Sequence, residues 1–174
     1  GYLGYDVVRE VEHLPDVPTD DQGFPDAVMS VIGQLAAYGH WRQRVTLIEN
    51  VIIPEGATDA DLDAAYDAAA RRLDELAAAG SEPRTEPVVE PPDGADPLPD
   101  VQRSVTPARY ADAVKVAKEH ILAGDIFQVV LSQRFDFALD AEPFDLYRAL
   151  RQVNPSPYMY FIRHPAGTVV GSSP

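Results

Sequence analysis

A short segment near the end of the chain has clear potential to bind a ligand: Asn154-Pro155-Ser156-Pro157-Tyr158-Met159. Pro155 and Pro157 fix their own φ angles and restrict the residues before them to extended geometry, so this backbone is rigid. A rigid backbone beside an aromatic ring and a thioether can hold a flat apolar ligand, because methionine sulfur packs favourably on aromatic edges. Its main-chain groups can also pair with the ammonium and carboxylate of an amino acid. The alternative is the entry to an edge strand, with Tyr158 and Met159 in the core.

A second segment of interest runs from Ile126 to Leu139, where apolar and polar side chains alternate with period two. This alternation predicts a long, half-buried strand. Its apolar face consists of Phe127, Val129, Leu131, Phe135, Phe137 and Leu139. On the opposite face, Gln128, Ser132 and Arg134 could line a polar cavity, or they could face water as one face of many antiparallel sheets does.

Several common catalytic and metal-binding motifs are absent from the sequence. The four histidines are His13, His40, His120 and His164, and they show neither an HExxH motif nor a paired spacing. This pattern argues against a zinc site. No GxGxxG, GxxxxGK[ST] or GxSxG motif occurs, which excludes the usual dinucleotide, P-loop and hydrolase sites.

The charge and composition narrow the possible partners. The 174 residues have a formal net charge of -14 and include no cysteine. Phosphate-backbone binding needs clustered Lys and Arg, so the charge argues against a nucleic-acid partner. No apolar run approaches the roughly 18 residues of a membrane span, so we expect no membrane partner. The chain begins at Gly1 without an initiator Met or a signal-like run, and we expect that an N-terminal portion is missing.

Periodicity and turn residues predict both strands and helices. Strands are expected over Tyr2–Val8, over Ala27–Tyr38 and Gln43–Ile53 around a Gly39-His40 turn, and over Tyr158–Arg163 and Thr168–Ser172. Two helices are expected to begin after the N-caps Thr58 and Thr106 and to end at Gly80 and Gly124, and a third is expected over Pro143–Gln152. Residues 81–106 are acidic and rich in proline, which predicts a linker. The sequence therefore predicts an α+β chain.

Four ordered stretches carry a family resemblance. They are GYLGYDVVR from Gly1, WRQRVTLIEN from Trp41, the region from Tyr110 that ends in AGDIFQVVLSQRF, and NPSPYMYF followed by VVGSSP. Together they resemble the anthranilate synthase component I family, the large subunit of a chorismate-utilising enzyme. The resemblance implies the fold of those enzymes, with largely antiparallel sheets, flanking helices and the inhibitor pocket between two facing sheets. It also implies that this chain is an internal fragment of such a subunit.

The resemblance implies an activity and its partners. The intact subunit would be a cytoplasmic, Mg2+-dependent lyase that converts chorismate and ammonia into anthranilate and pyruvate in tryptophan biosynthesis. A glutamine amidotransferase subunit, component II, would deliver the ammonia, and L-tryptophan would inhibit the enzyme. Residues 1–80 would be part of an N-terminal regulatory region, and residues 107–174 would be the start of a truncated chorismate-binding region.

One relative and one other class of protein remain as alternatives, and two further relatives fit less well. Isochorismate and salicylate synthases resemble this region but have a lysine base in place of Gln128, and glutamine cannot deprotonate water at neutral pH. Aminodeoxychorismate synthase component I, of the folate pathway, usually has QVNLxQRF and lacks the NPSPYM form, whereas Val130 and Met159 here match the anthranilate pattern. The other class is a stand-alone amino-acid-binding regulatory module.

The resemblance also assigns roles to individual residues. Asn154, Pro157, Tyr158 and Met159 match the positions that form part of the tryptophan pocket, and Gln128 matches a residue of the active-site wall. The Mg2+ ligands and the catalytic histidine of the family are expected beyond residue 174, so no metal ligand is expected in this chain. We therefore expect the 174 residues alone to be inactive.

Overall fold

The computed structural model describes residues 1–90, 94, 97 and 99–173. The chain divides into two units, one formed by Gly1–Val88 with His164–Gly167 and the other by Val89–Arg163 with Thr168–Pro174. Most of the predicted linker over residues 81–106 is described, but residues 91–93, 95, 96 and 98 lie outside the described residues, as does Pro174. The regulatory, linker and chorismate-binding roles assigned to the three predicted regions stay predictions.

The first unit begins with a short strand pair. Strand β1 (Tyr2–Leu3) pairs antiparallel with β2 (Ala27–Val28). The strand predicted over Tyr2–Val8 is wrong after Leu3, because Tyr5–Glu10 forms a 3-10 helix. This turn brings Asp6 and Arg9 into an ion pair at 2.5 Å, a spacing of three residues that a strand would not bring together.

A hairpin and a long helix form the rest of the first unit. Strand β3 (Gln34–Gly39) pairs antiparallel with β4 (Arg44–Glu49), which confirms the predicted hairpin around the Gly39-His40 turn. The single strand predicted over Ala27–Tyr38 is wrong, because it is divided into β2 and β3 of different sheets, and β4 is shorter than predicted. Helix α1 (Asp59–Ser81) begins at the predicted N-cap Thr58. Its Arg72 guanidinium forms an ion pair with Glu49 of β4 at 2.5 Å, which fixes the helix to the hairpin.

The start of α1 follows from a capping box, but its predicted end is wrong by one residue. The Thr58 Oγ1 accepts a hydrogen bond from the Asp61 backbone N–H, and the Asp61 carboxylate accepts one from the Thr58 N–H. Gly80, predicted to stop the helix, lies inside it because its backbone does not enter the left-handed region. The helix ends when Glu82 adopts extended geometry.

The second unit contains a helix held at both ends by local signals. Helix α2 (Pro107–Ala123) begins at Thr106, whose Oγ1 accepts a hydrogen bond from the Arg109 N–H, and it has proline at its first position. Gly124 ends it with φ +82, a left-handed conformation that glycine adopts without steric cost. Both predicted ends of this helix are confirmed.

The long strand predicted over Ile126–Leu139 is wrong. Only Phe135–Asp136 forms a strand, β6, which pairs antiparallel with β5 (Gln102–Arg103). Within the described residues, 126–130 have no backbone hydrogen-bond partner, and the Phe127 side chain is fully exposed. The alternation of side chains is compatible with a strand, but a strand also needs a neighbour to pair with.

The chain closes with a helix and a hairpin, both as predicted to within one residue. Helix α3 (Pro143–Val153) precedes β7 (Met159–His164), which is hydrogen-bonded to β8 (Gly167–Ser172). The connection has two residues, so the pair is antiparallel. Helix α3 packs on β7 through three rings, with the Phe161 centroid 5.1 Å from Phe144 and 5.8 Å from Tyr147.

Little of the chain is shielded from water. Ala69 of α1 is the one buried hydrophobic residue among those described, and the accessible surface is 14954 Å². A compact monomer of 19.0 kDa exposes about 8,400 Å², and two compact units of half that mass would expose about 10,000 Å² together. The chain thus buries a little under half of its extended-chain surface, where about 68–70% is usual for a domain of 150 residues. Within the described ranges, no helix is both long and apolar enough to cross a membrane.

Candidate functional site

The segment Asn154–Met159 connects α3 to β7, and its first residue ends the helix. Asn154 is the C-cap of α3, with φ -139 and ψ 70, and its backbone N–H donates to the Leu150 carbonyl at 2.9 Å. The chain therefore leaves the helix at a defined angle. Pro155 and Pro157 then exclude a continuation of the helix, as their fixed φ angles predict.

The last residue of β8 and the residue after it hold the same segment from its other side. The Ser172 hydroxyl donates to the Asn154 carbonyl at 2.8 Å, and the Ser173 backbone N–H donates to the Tyr158 carbonyl at 3.0 Å. Within the segment, the Tyr158 N–H donates to the Ser156 Oγ at 3.1 Å. The backbone on both sides of Pro157 is thus fixed by hydrogen bonds in addition to the two proline rings.

Sequence reasoning missed the two serines that hold the segment. Ser172 and Ser173 belong to the VVGSSP stretch, which served only as a mark of resemblance. The hydrogen bond from Ser172 to Asn154 joins residues 18 positions apart, so no local sequence pattern predicts it. The signal that was available is the predicted hairpin, because its turn returns the end of β8 to the start of β7.

The side chains of the segment differ in exposure. Tyr158 is 73% exposed, Asn154 and Pro157 are also exposed, and Met159 is half-buried at the start of β7. The Tyr158 ring does not lie in a core, so it is free to contact a ligand. An exposed aromatic ring can pack on a flat apolar group.

Gln128 lies in the irregular stretch that follows α2. Its side chain is exposed and has no hydrogen-bond partner among the described residues. The structure therefore brings Asn154, Pro157, Tyr158 and Met159 together in one segment, while Gln128 stands in a different part of the same unit. The roles of all five residues stay predictions.

The described residues offer no obvious metal site. Among them, no group of three or more His, Cys, Asp or Glu side chains is placed so that it could hold a metal ion. The carboxylates that could serve are dispersed, and several are paired with arginine, as Asp145 is with Arg148 at 3.1 Å. These residues do not fit the divalent cation that the resemblance implies.

Comparisons with known proteins agree on one family. The family described as chorismate binding enzyme matches residues 1–174. Anthranilate synthase component 1 of Mycolicibacterium smegmatis is 40% identical over all of this chain and 34% of the relative, and anthranilate synthase alpha subunit 2 of Arabidopsis thaliana is 37% identical over all of this chain and 29% of the relative.

A solved structure gives the same result for the fold. Anthranilate synthase component I from Streptococcus pneumoniae matches with a TM-score of 0.64 and 30% identity over 92% of this chain and 34% of the solved chain. The match confirms the predicted α+β fold with antiparallel strand pairs and helices. The chain spans about a third of the length of the curated relatives it matches.

Proposed function

The chain belongs to the chorismate binding enzyme family, and we propose that it serves anthranilate synthesis as part of a component I subunit. The complete subunit would convert chorismate and ammonia into anthranilate and pyruvate, a lyase reaction of tryptophan biosynthesis in the cytoplasm. The observation that supports this proposal is the match to anthranilate synthase component 1 along the whole chain, at 34–40% identity in the bacterial relatives. A glutamine amidotransferase subunit would supply the ammonia.

The complete subunit, and not the 174 residues alone, is the unit to which we assign turnover. The chain spans about a third of the relatives' length, and we expect it to be inactive by itself. Since its described residues do not fit Mg2+, we propose that the ligands of that ion belong to the remaining length of a family subunit.

We propose that Asn154, Pro157, Tyr158 and Met159 form one wall of a tryptophan pocket that controls the enzyme. The hydrogen bonds from Ser172 and Ser173 support this proposal, because a wall that is already fixed loses little conformational entropy when a ligand binds. The indole ring would lie against the exposed Tyr158 ring and the Met159 thioether.

We propose that Gln128 faces the substrate in the complete subunit. A glutamine amide can donate and accept hydrogen bonds, but it cannot act as a base at neutral pH. A neutral side chain at this position would favour ammonia, which is itself a nucleophile, over a water that must first be deprotonated. The exposure of Gln128 leaves it available for such a contact.

The activity can be tested by product identity. A complete subunit that includes these 174 residues would be supplied with chorismate, Mg2+ and ammonium, and the products would be separated and identified by mass. We expect anthranilate and pyruvate in equal amounts. Aminodeoxychorismate as the product would identify the subunit as an enzyme of the folate pathway. Isochorismate as the product would contradict the proposed role of Gln128.

The tryptophan pocket can be tested with a matched pair of methionine variants. Met159→Thr in the complete subunit should require at least about tenfold more tryptophan for half inhibition, a loss of about 1.4 kcal/mol, while uninhibited turnover stays nearly unchanged. Met29→Thr is the control, because Met29 is 74% exposed and lies in the other unit. Equal inhibition of both variants by tryptophan would show that Met159 does not form part of the pocket.

The role of Gln128 has its own paired test. Gln128→Lys should lower ammonia-dependent turnover by about tenfold or more, because it places a cation and a longer side chain at the substrate. Gln22→Lys, which makes the same change in an exposed loop of the first unit, should have no effect. Normal turnover in Gln128→Lys would show that this residue does not face the substrate.

A second candidate function is amino-acid binding without chemistry. The observation in its favour is that the Asn154–Met159 segment is fixed by residues of this chain alone. Calorimetric titration of the 174-residue chain with L-tryptophan tests it. Saturable binding, combined with a complete subunit that has no turnover, would favour the binding module over the enzyme.

A further inference from the structure

An open pocket of about 320 Å³ lies where the β5–β6 pair meets the start of α2. Its lining residues are Arg103, Val105, Pro107, Tyr110, Gln133 and Phe135. None of them belongs to the Asn154–Met159 segment, and none was assigned a role from the sequence. A volume of this size is at the lower end of the range for small-molecule sites, which suits a ligand with one ring.

Hydrogen bonds between the two strands fix the walls of the pocket. The Ser104 N–H donates to the Arg134 carbonyl at 3.0 Å, and the Arg134 N–H donates to the Ser104 Oγ at 3.1 Å. The Gln133 Nε2 also donates to the Ser104 Oγ, at 3.2 Å. Ser104 thus ties the strand that contains Arg103 to the strand that contains Phe135.

Arg103 places a positive charge at the edge of this apolar pocket. Its guanidinium carbon lies 5.6 Å from the centroid of the Phe135 ring, a cation–π arrangement. Among the described residues Arg103 has no carboxylate partner, whereas Arg134 on the neighbouring strand pairs with Asp136 at 3.2 Å.

The start of α2 adds to the positive potential at this place. Pro107 is the first residue of this 17-residue helix and also lines the pocket, so the positive end of the helix dipole lies beside it. The guanidinium, the helix start and the aromatic wall together favour a ligand that combines a negative charge with a flat apolar body. A guanidinium can bind both oxygens of a carboxylate at once.

We propose that this pocket binds a small aromatic carboxylate, with the carboxylate on the Arg103 guanidinium and the ring between Tyr110 and Phe135. The site is separate from the proposed tryptophan pocket, and its occupant does not depend on the proposed reaction. The ring contributes apolar contact, and the charge contributes selectivity over neutral molecules of the same shape.

Benzoate is the probe for this proposal. The 174-residue chain would be titrated with benzoate, and binding would be followed through the backbone amide signals of Val105, Tyr110, Gln133 and Phe135. We expect saturable shifts at these residues, and much weaker binding of benzyl alcohol, which has the ring without the charge. Equal binding of both probes, or no saturable binding of benzoate, would overturn the proposal.

Three arginine variants separate a local contact from a general effect of charge. Arg103→Gln should weaken benzoate binding at least fivefold, and Arg103→Lys should restore part of it because the charge remains. Arg109→Ala is the control, since it removes the same charge from the first turn of α2 at a residue that does not line the pocket. Equal losses in Arg103→Gln and Arg109→Ala would contradict a specific contact with Arg103.

The same titration on a complete family subunit excludes another occupant. If the pocket is a ligand site there too, benzoate shifts the same four amides, and tryptophan does not compete with it. If those amides are shielded from solvent and benzoate leaves them unchanged, the remaining part of the subunit fills the pocket and the proposal fails.

Discussion

Two segments of the second unit follow a helix, and they differ in how they are held. Asn154–Met159 follows α3 and is fixed by hydrogen bonds from Ser172 and Ser173 and by one from its own Tyr158 N–H to Ser156. Residues 126–130 follow α2 and, among the described residues, have no backbone hydrogen-bond partner at all. Both segments are rich in apolar side chains, so apolar content does not explain the contrast.

The contrast shows what an extended segment needs. Proline rings and short side-chain hydrogen bonds can fix a backbone within a few residues, as they do around Pro157. A segment such as 126–130, with no proline and no capping side chain, depends on pairing with a neighbouring strand. A segment of the first kind is formed before its ligand arrives, and a segment of the second kind is ordered only by a partner.

Hydrogen exchange should show the largest difference between the two segments. The amides of Asn154 and Tyr158 are hydrogen-bonded, while those of Phe127 and Val129 are not. We expect the first pair to exchange about a hundredfold more slowly than the second, after correction for intrinsic rates. Exchange would be measured by NMR on the 174-residue chain. Equal protection of the two pairs would contradict the difference in hydrogen bonding between the two segments.

The junction between α2 and the unpaired segment should give the next largest effect. Gly124 has φ +82, held by the hydrogen bonds from the Gly124 N–H to Ile121 and from the Asp125 N–H to His120. Gly124→Ala should lower the free energy of unfolding by about 1–2 kcal/mol, because a Cβ is strained in this conformation. Urea denaturation followed by circular dichroism measures the change.

Gly80→Ala is the control for that measurement. Gly80 lies inside α1, and a Cβ added there would meet no atom of another residue within 4 Å outside the helix's own backbone. Alanine at this position should therefore raise the free energy of unfolding by up to about 0.5–1 kcal/mol. Opposite signs for the two variants are expected. A negligible cost for Gly124→Ala would mean that the chain after α2 shifts to relieve the strain.

A pair of serine variants tests the hydrogen bonds that hold the Asn154–Met159 segment. Ser172→Ala removes the donor to the Asn154 carbonyl and should cost about 0.5–1.5 kcal/mol of folding free energy. Ser132 is exposed and has no hydrogen bond among the described residues, so Ser132→Ala should stay within about 0.5 kcal/mol. Equal unfolding midpoints for the two variants would show that Ser172 does not hold the segment.

The smallest expected effect is the acid dependence of the start of α1, where Asp61 and Thr58 are hydrogen-bonded. Hydrogen bonds from the Thr58 side chain and then from the Thr58 backbone lower the pKa of Asp61 below its ordinary 3.8. Because the folded pKa is the lower one, its stabilising contribution is present above the unfolded pKa and is lost as pH falls through the folded value. We expect α1 to begin to fray below about pH 3.8.

Asparagine variants isolate that contribution. Asp61→Asn should reduce the acid dependence of the helical circular dichroism signal, and Asp63→Asn, which makes the same change two residues further along α1, should leave it in place. A direct NMR titration of the Asp61 side chain should show the lowered pKa. The same acid dependence in both variants would contradict the role of the Thr58 contact.

The sequence predicted the features that neighbouring residues determine. Thr58, Thr106 and Gly124 were correctly placed at helix ends, because caps depend on side chains within a few residues. The two hairpins were also found, from turn residues and alternation. The resemblance correctly predicted the family and its fold, which the whole-chain family match and the solved relative confirm.

The features that distant residues determine were missed. The strand predicted over Ile126–Leu139 has the right alternation, but alternation does not supply a pairing partner. The bond from Ser172 to Asn154 and the pocket beside Arg103 both join residues that are far apart in sequence. The roles of Gln128 and of the Asn154–Met159 segment stay predictions, because they concern ligands.

The large exposed surface has a thermal consequence. Heat capacity rises on unfolding mainly because apolar side chains enter water, and in this chain Trp41 and Phe127 are already 96% and 101% exposed. Unfolding therefore adds less hydration than it does in a compact domain, and its heat-capacity change per residue is smaller. We expect a correspondingly flat stability curve, in which cooling weakens the folded state less than it weakens a protein with a full core.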